Sequence, residues 1–136
     1  MKSIACFVFV LTCLLARAAS AADQANTVLI HPGEQLFVRF EQTGSSLKVL
    51  NASKEKNDHA QLILRMEPFD RSTGLLVLVV QSRFKKTMSY KAEMRLLAKN
   101  RRAETSVVPV LAGLESFESW PHPIDELALY GFELKE

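Results

Sequence analysis

Three histidines, His31, His59 and His122, are the side chains of this sequence best suited to acid–base or metal chemistry. Zinc chemistry uses ligands at short spacings such as i, i+4 or H-x-E, and none of the three has such a neighbour. They fall in three separate predicted loops, so they are expected to be solvated. An enzyme built here would need a composite site of His31, His59 or His122 with nearby acids. No glycine-rich phosphate loop and no G-x-S-x-G elbow occurs. The expectation is therefore no catalytic residue, no metal ligand and no cofactor. Met66, Met88 and Met94 fall at inward-facing strand positions, where methionine fills gaps in a core, and this outweighs a copper-binding role.

The stretch "SFESWPHP", residues 116–123, is the next candidate. Pro121 and Pro123 remove two main-chain donors and hold φ at about −65°, and they push Trp120 and His122 towards extended conformations. Such a segment cannot enter the middle of a sheet. It is expected to be an extended crossover, and a cis Trp120–Pro121 bond is sterically open to it. Trp120, the single tryptophan, needs a partner for its indole N–H if it is buried. On a structural reading, Phe117 and Trp120 plug one end of the fold. On a binding reading, Trp120, His122 and Phe117 form an exposed rim for a partner, since interfaces are enriched in tryptophan. The structural reading is favoured.

Charge is unevenly placed. Eight basic residues and one acid lie between Arg83 and Arg102, whereas six acids and one lysine lie from Gly113 onward. Arg83, Lys85 and Lys86 precede one predicted strand, and Lys99, Arg101 and Arg102 follow it. A strand of that length holds the two clusters ~30 Å apart at ~3.3 Å per residue, so they do not form one nucleic-acid patch. The acidic C-terminal part could meet the basic strand, within the chain or between copies. Ordinary solvated strand faces are favoured over that pairing, and the basic residues would also discourage aggregation at a sheet edge.

These side chains must be positioned by what remains once an address segment is set aside. Lys2, the apolar run Ile4 to Ala16 and the small residues Ala19-Ser20-Ala21 read as a signal peptide spanning residues 1–21. The run is shorter than the ~20 residues a membrane span needs. A lipoprotein signal fits neither Cys6 nor Cys13. Cleavage after Ala21 would remove both cysteines together with Lys2 and Arg17, leaving 15 basic residues against 15 acidic ones. Residues 22–136 then form one neutral domain with no thiol and no disulfide, large enough to bury a core. A cysteine-free exported chain suits the periplasm, with secretion as the alternative. Asn51-Ala52-Ser53 has the form of a glycosylation acceptor and is read as a turn.

The dominant periodicity is two. Leu36, Val38 and Phe40 alternate with Gln35, Arg39 and Glu41. Leu62, Leu64 and Met66 alternate with Gln61, Arg65 and Glu67. Met88, Tyr90, Ala92, Met94 and Leu96 alternate with Ser89, Lys91, Glu93 and Arg95. Leu75 to Val80 is apolar on both faces, as in a covered strand. Shorter strands are expected at Thr27 to Ile30, Leu47 to Leu50, Ser106 to Leu111 and Glu126 to Leu134. Pro32-Gly33, residues 43–46, Asn57-Asp58, residues 70–74 and Gly113 supply the turns. The pattern predicts an all-β, immunoglobulin-like antiparallel β-sandwich of seven to eight strands. An α+β fold with a helix near residues 88–100 is the alternative, because that segment is rich in helix formers.

The function expected of such a chain is that of an exported, non-enzymatic binding or accessory module acting through protein–protein contacts. Its partner would be another exported protein or a second copy, with no nucleic acid and no stable membrane insertion after cleavage. A carrier of a small or apolar ligand is the alternative.

Overall fold

The computed structural model describes residues 25–70, 72–97 and 101–136. The segment read as a signal peptide lies outside the described residues, as does Lys99. Nine strands follow in order: β1 (Val28–Ile30), β2 (Gln35–Thr43), β3 (Ser46–Ser53), β4 (Leu62–Asp70), β5 (Leu75–Ser82), β6 (Thr87–Leu96), β7 (Arg102–Thr105), β8 (Glu115–Trp120) and β9 (Ile124–Lys135). Every pairing is antiparallel. The strands form one curled sheet in the order β7-β6-β9-β3-β2-β4-β5-β8, with β1 beside the first half of β9. This is the all-β antiparallel architecture that the alternation predicts. No described helix is long and apolar enough to cross a membrane.

Curling brings two walls face to face, and the inward residues of each strand fill the space between them. Leu36, Val38 and Phe40 of β2, Leu62, Leu64 and Met66 of β4, and Met88, Tyr90 and Ala92 of β6 are all buried in one cluster. These are the residues whose spacing in the sequence assigns them inward, and Met66 and Met88 pack as core residues. At the centre Phe40 meets Phe132 edge-on at 5.0 Å between ring centroids, and Tyr90 stacks on Phe132 at 6.3 Å. Phe37, Ala60 and Ile63 make a smaller apolar cluster apart from it.

Residues 87–96 are a strand, and the helical alternative fails. β6 pairs with β9 over nearly its whole length, and a helix would satisfy those main-chain groups internally instead.

Three other expectations need correction. The strand predicted at Ser106 to Leu111 is absent: Pro109 has no N–H, and only Val110 reaches β6, through a single bridge to Met88. The pairing is made on either side of that segment, by β7 with β6 and by β8 with β5. Asn51-Ala52-Ser53 is the end of β3 rather than a turn.

The third correction concerns the expected straight alternation of Ala128, Tyr130, Phe132 and Leu134. It is broken at Gly131, where φ is +63° and the register against β6 slips between Ser89 and Lys91. This bulge inserts one residue, so β9 sends Leu127 and Leu129 into the core before it and Phe132 and Leu134 after it.

Candidate functional site

Trp120 closes β8 with its side chain inside the fold and only 7% of its surface exposed. β8 places Ser116, Glu118 and Trp120 on its inner face, and alternation sends Glu115, Phe117 and Ser119 outward. The indole Nε1–H donates to Thr105 Oγ1 at 2.7 Å, which supplies the partner that burial demands. β7 and β8 are the two ends of the strand order, so this bond ties the sheet's margins across the open side of the fold. Below it, Val108 N–H donates to the Glu118 carboxylate. Side chains close a seam that no main-chain ladder closes. The peptide bonds around Pro121 and Pro123 are trans, and His122 stands exposed in the turn between β8 and β9.

Phe117 does not join the plug. It lies outward on β8 with 63% of its surface exposed, in the middle of a six-residue strand. Among the described strands β8 has one neighbour, β5, and Ser82 N–H donates to Leu114 C=O at the start of that ladder. An antiparallel ladder alternates, so the Leu114 C=O and the main-chain groups of Ser116, Glu118 and Trp120 face β5. Those of Glu115, Phe117 and Ser119 face away from the sheet, and no described residue pairs with them. Leu111 and Leu114, in the turn leading into β8, and Val108 are also exposed. An edge that pairs with no described strand and an exposed phenylalanine therefore coincide on β8.

The residues singled out in sequence thus separate. Trp120 is structural, His122 is a solvated turn residue, and Phe117 is the exposed one. The basic residues separate as well. Arg83 spends its guanidinium on the carbonyls of Asp58 and Ala60, holding the end of the loop before β4. Lys85 and Lys86 sit exposed in the β5–β6 turn, and Arg101 is exposed just before β7. Arg102 is drawn into an ion pair with Glu126.

That pair belongs to a network joining residues far apart in sequence. His31-Pro32-Gly33-Glu34 forms a tight turn, with Gly33 at φ +83° as a type II turn requires at its third position. The turn brings Glu34 Oε2 to 3.0 Å from His31 Nδ1 and 2.9 Å from the His31 N–H. On its other side, His31 Nε2 lies 3.0 Å from Glu126 Oε2. Glu126 is 7% exposed and also meets Arg102 and, at 3.9 Å, Arg95; Arg95 in turn donates to Asp125 at 2.9 Å. Lys54 completes the outer rim, 2.7 Å from Glu34.

Hydrogen bonding to Glu34 opposes the effect of burial and raises the His31 pKa above 6.5. Lys54, followed by the His31 main chain and ring, lowers Glu34 to about 2. A carboxylate on each ring nitrogen favours the imidazolium form of His31, in which both ring N–H groups donate. The acidic C-terminal part does meet the basic strand, within the chain, through Arg95–Asp125 and Arg102–Glu126. Among the described basic residues of that stretch, Lys85, Lys86, Lys91 and Arg101 fit the solvated alternative, each being exposed.

Sequence spacing could not reveal the contact of His31 with Glu126, 95 residues away. The Pro-Gly turn was the available signal for His31 with Glu34. Among the described residues no group of three or more His, Cys, Asp or Glu could hold a metal ion.

Inside the seam, the hydroxyls of Tyr90 and Ser116 are buried without a hydrogen-bond partner. Burial, with the Glu118 charge adding to it, pushes the Tyr90 phenol above its ordinary pKa of 10. It therefore stays neutral at any physiological pH.

Comparison with protein-family models, with curated proteins and with solved structures finds no match for this chain.

Proposed function

We propose that this chain is an exported, non-enzymatic binding module that acts through protein–protein contacts in the periplasm, with the β8 edge as its contact surface. The observation that carries it is Phe117, a large apolar side chain 63% exposed on a strand whose outward main-chain groups pair with no described residue. An extended segment laid against such an edge gains main-chain hydrogen bonds from the strand and side-chain contacts from the flanking pockets. The N-terminal apolar run ending in Ala19-Ser20-Ala21 supports export. The ligand-carrier alternative has less support. The space between the walls is filled by Phe40, Tyr90, Phe132 and their neighbours. An open cleft of about 310 Å³ between β6, β7 and β9 is lined by polar Lys91, Glu104, Thr105 and Ser106 as well as by Tyr90, Ala92, Val107 and Tyr130, so it is not an apolar cavity.

The test is a photo-activatable residue placed at position 117 of the whole chain in producing cells, with position 56, an exposed lysine in the β3–β4 loop, as control. A discrete covalent adduct from 117 and none from 56 is expected. No adduct from 117, or equal labelling from both positions, defeats the proposal.

A further inference from the structure

We infer that the segment this edge accepts is β8 of a second copy, paired antiparallel about a two-fold axis through Phe117; this rests on the β8 edge being the contact surface. Three features of the strand carry the inference.

The first is register. With Phe117 facing Phe117 of the other copy, Glu115 faces Ser119 and Ser119 faces Glu115. All three residues turn their main-chain N–H and C=O groups outward, so all three pairs are hydrogen-bonding pairs. Moving the axis to Ser116 keeps only the two Glu115–Phe117 pairs within the strand. Moving it to Glu118 sets Glu118 against Glu118 and Glu115 against Pro121, which has no N–H to give. The six-residue strand is thus most complementary to itself about its own Phe117.

The second is charge. Sheet edges resist self-pairing when they carry charged side chains. The two acids of β8 are already engaged inside the monomer: Glu115 with Arg65 at 3.7 Å, and Glu118 with the Val108 N–H. In the preferred register each faces a serine hydroxyl instead of another acid. The whole chain carries a formal charge of only +2, which offers little long-range repulsion between copies.

The third is the contrast with the other terminal strand. β7 has four residues, carries Arg102 and Glu104, and follows Arg101, so it is short and charged as a protected edge should be. β8 presents a central phenylalanine.

Single cysteines in the whole chain, with Cys6→Ala and Cys13→Ala removing the only native thiols, test the register directly. A hydrogen-bonded antiparallel pair has Cα atoms ~5.5 Å apart, inside the ~4.4–6.8 Å that a disulfide spans. Under mild oxidation Phe117→Cys should give a covalent dimer. Glu115→Cys alone should stay monomeric and cross-link only when mixed with Ser119→Cys, and His122→Cys should stay monomeric. In the cysteine-free chain, sedimentation equilibrium should show a dimer that Phe117→Lys converts to monomer, with an unchanged far-ultraviolet dichroism spectrum. A monomer at every concentration, or equal cross-linking from positions 115, 117 and 122, overturns the inference. A position-117 photo-adduct with a different protein overturns it too while leaving the binding surface intact. Absence of any adduct removes both.

Discussion

The indole of Trp120 donates to Thr105 Oγ1 at 2.7 Å and so joins the two terminal strands of the sheet. Thr105→Val keeps the shape and removes the acceptor, leaving a buried N–H unpaired. A loss of about 1–3 kcal/mol is expected, measured by urea unfolding with the single tryptophan as probe. Native emission should be blue-shifted, as for a buried indole. A wild-type midpoint in Thr105→Val, or emission like that of indole in water, contradicts the geometry.

His31 and Glu34 set opposite limbs of a stability profile. His31 has a raised pKa in the folded chain, so its contribution is complete below its ordinary value of 6.5 and is lost as pH rises through the folded value. Glu34 is lowered from 4.5 to about 2, so its contribution is present above 4.5 and is lost as pH falls towards 2. Between pH 4.5 and 6.5 both act in full. Urea midpoints should therefore fall from pH 6 to pH 8.5 in the native chain, and less steeply in His31→Gln. An identical slope in the variant would remove His31 as the cause.

Asn26 imitates a strand where none is available. β3 meets β9 in register only at Ser46, and beyond that point the Asn26 carboxamide takes the Val49 N–H at 2.6 Å and gives its own N–H to Leu47 C=O at 3.1 Å. Asn26→Ala frees both groups and should cost about 1–3 kcal/mol. Amide exchange at Val49 should quicken well beyond the change seen at Leu64 in the core.

How much of this was legible in the sequence follows from the range of each signal. Alternation is local, so β2, β4 and β6 and their inward faces could be read directly, because each strand shows one wet face and one dry face. β8 escaped notice because "ESFESW" alternates acids and serines with two aromatics that face opposite sides, which blurs any single apolar face. The segment at Ser106 to Leu111 misled for the converse reason: it is apolar enough for a strand, yet Pro109 denies it a ladder. Glu126 reads as a surface acid until β1 and β6 are placed beside β9 and β7 beside β6, and only long-range pairing does that. Trp120 could be assigned inward from its size and its need for a partner, but the choice of Thr105 is tertiary.

Gly131 is a residue whose backbone, more than its surroundings, demands its type. An added Cβ would meet only the Lys91 side chain at an ordinary 3.6 Å, so space is available. The φ of +63° is what an alanine would resist, and Gly131→Ala should cost about 1–2 kcal/mol by thermal unfolding. Gly131→Asn should cost less, since asparagine tolerates that conformation. Equal losses in the two variants would mean that packing, not φ, sets the cost.

Tyr90 offers the opposite kind of test. Its hydroxyl is buried and unpartnered beside that of Ser116. Tyr90→Phe should therefore be neutral or stabilising by up to about 1 kcal/mol, while its ring contact with Phe132 is kept. A clear destabilisation would show that the phenol is engaged in solution.

The position of β9 has a consequence for how the chain comes into being. It lies between β6 on one side and β1 and β3 on the other, yet it is the last strand in chain order. Until Leu127 to Leu134 take their places, β6 and β7 on one side and the β3-β2-β4-β5-β8 run on the other lack the strand that joins them. The joining of the two walls is therefore coupled to the docking of a single strand, whose Leu127, Leu129, Phe132 and Leu134 also fill the core.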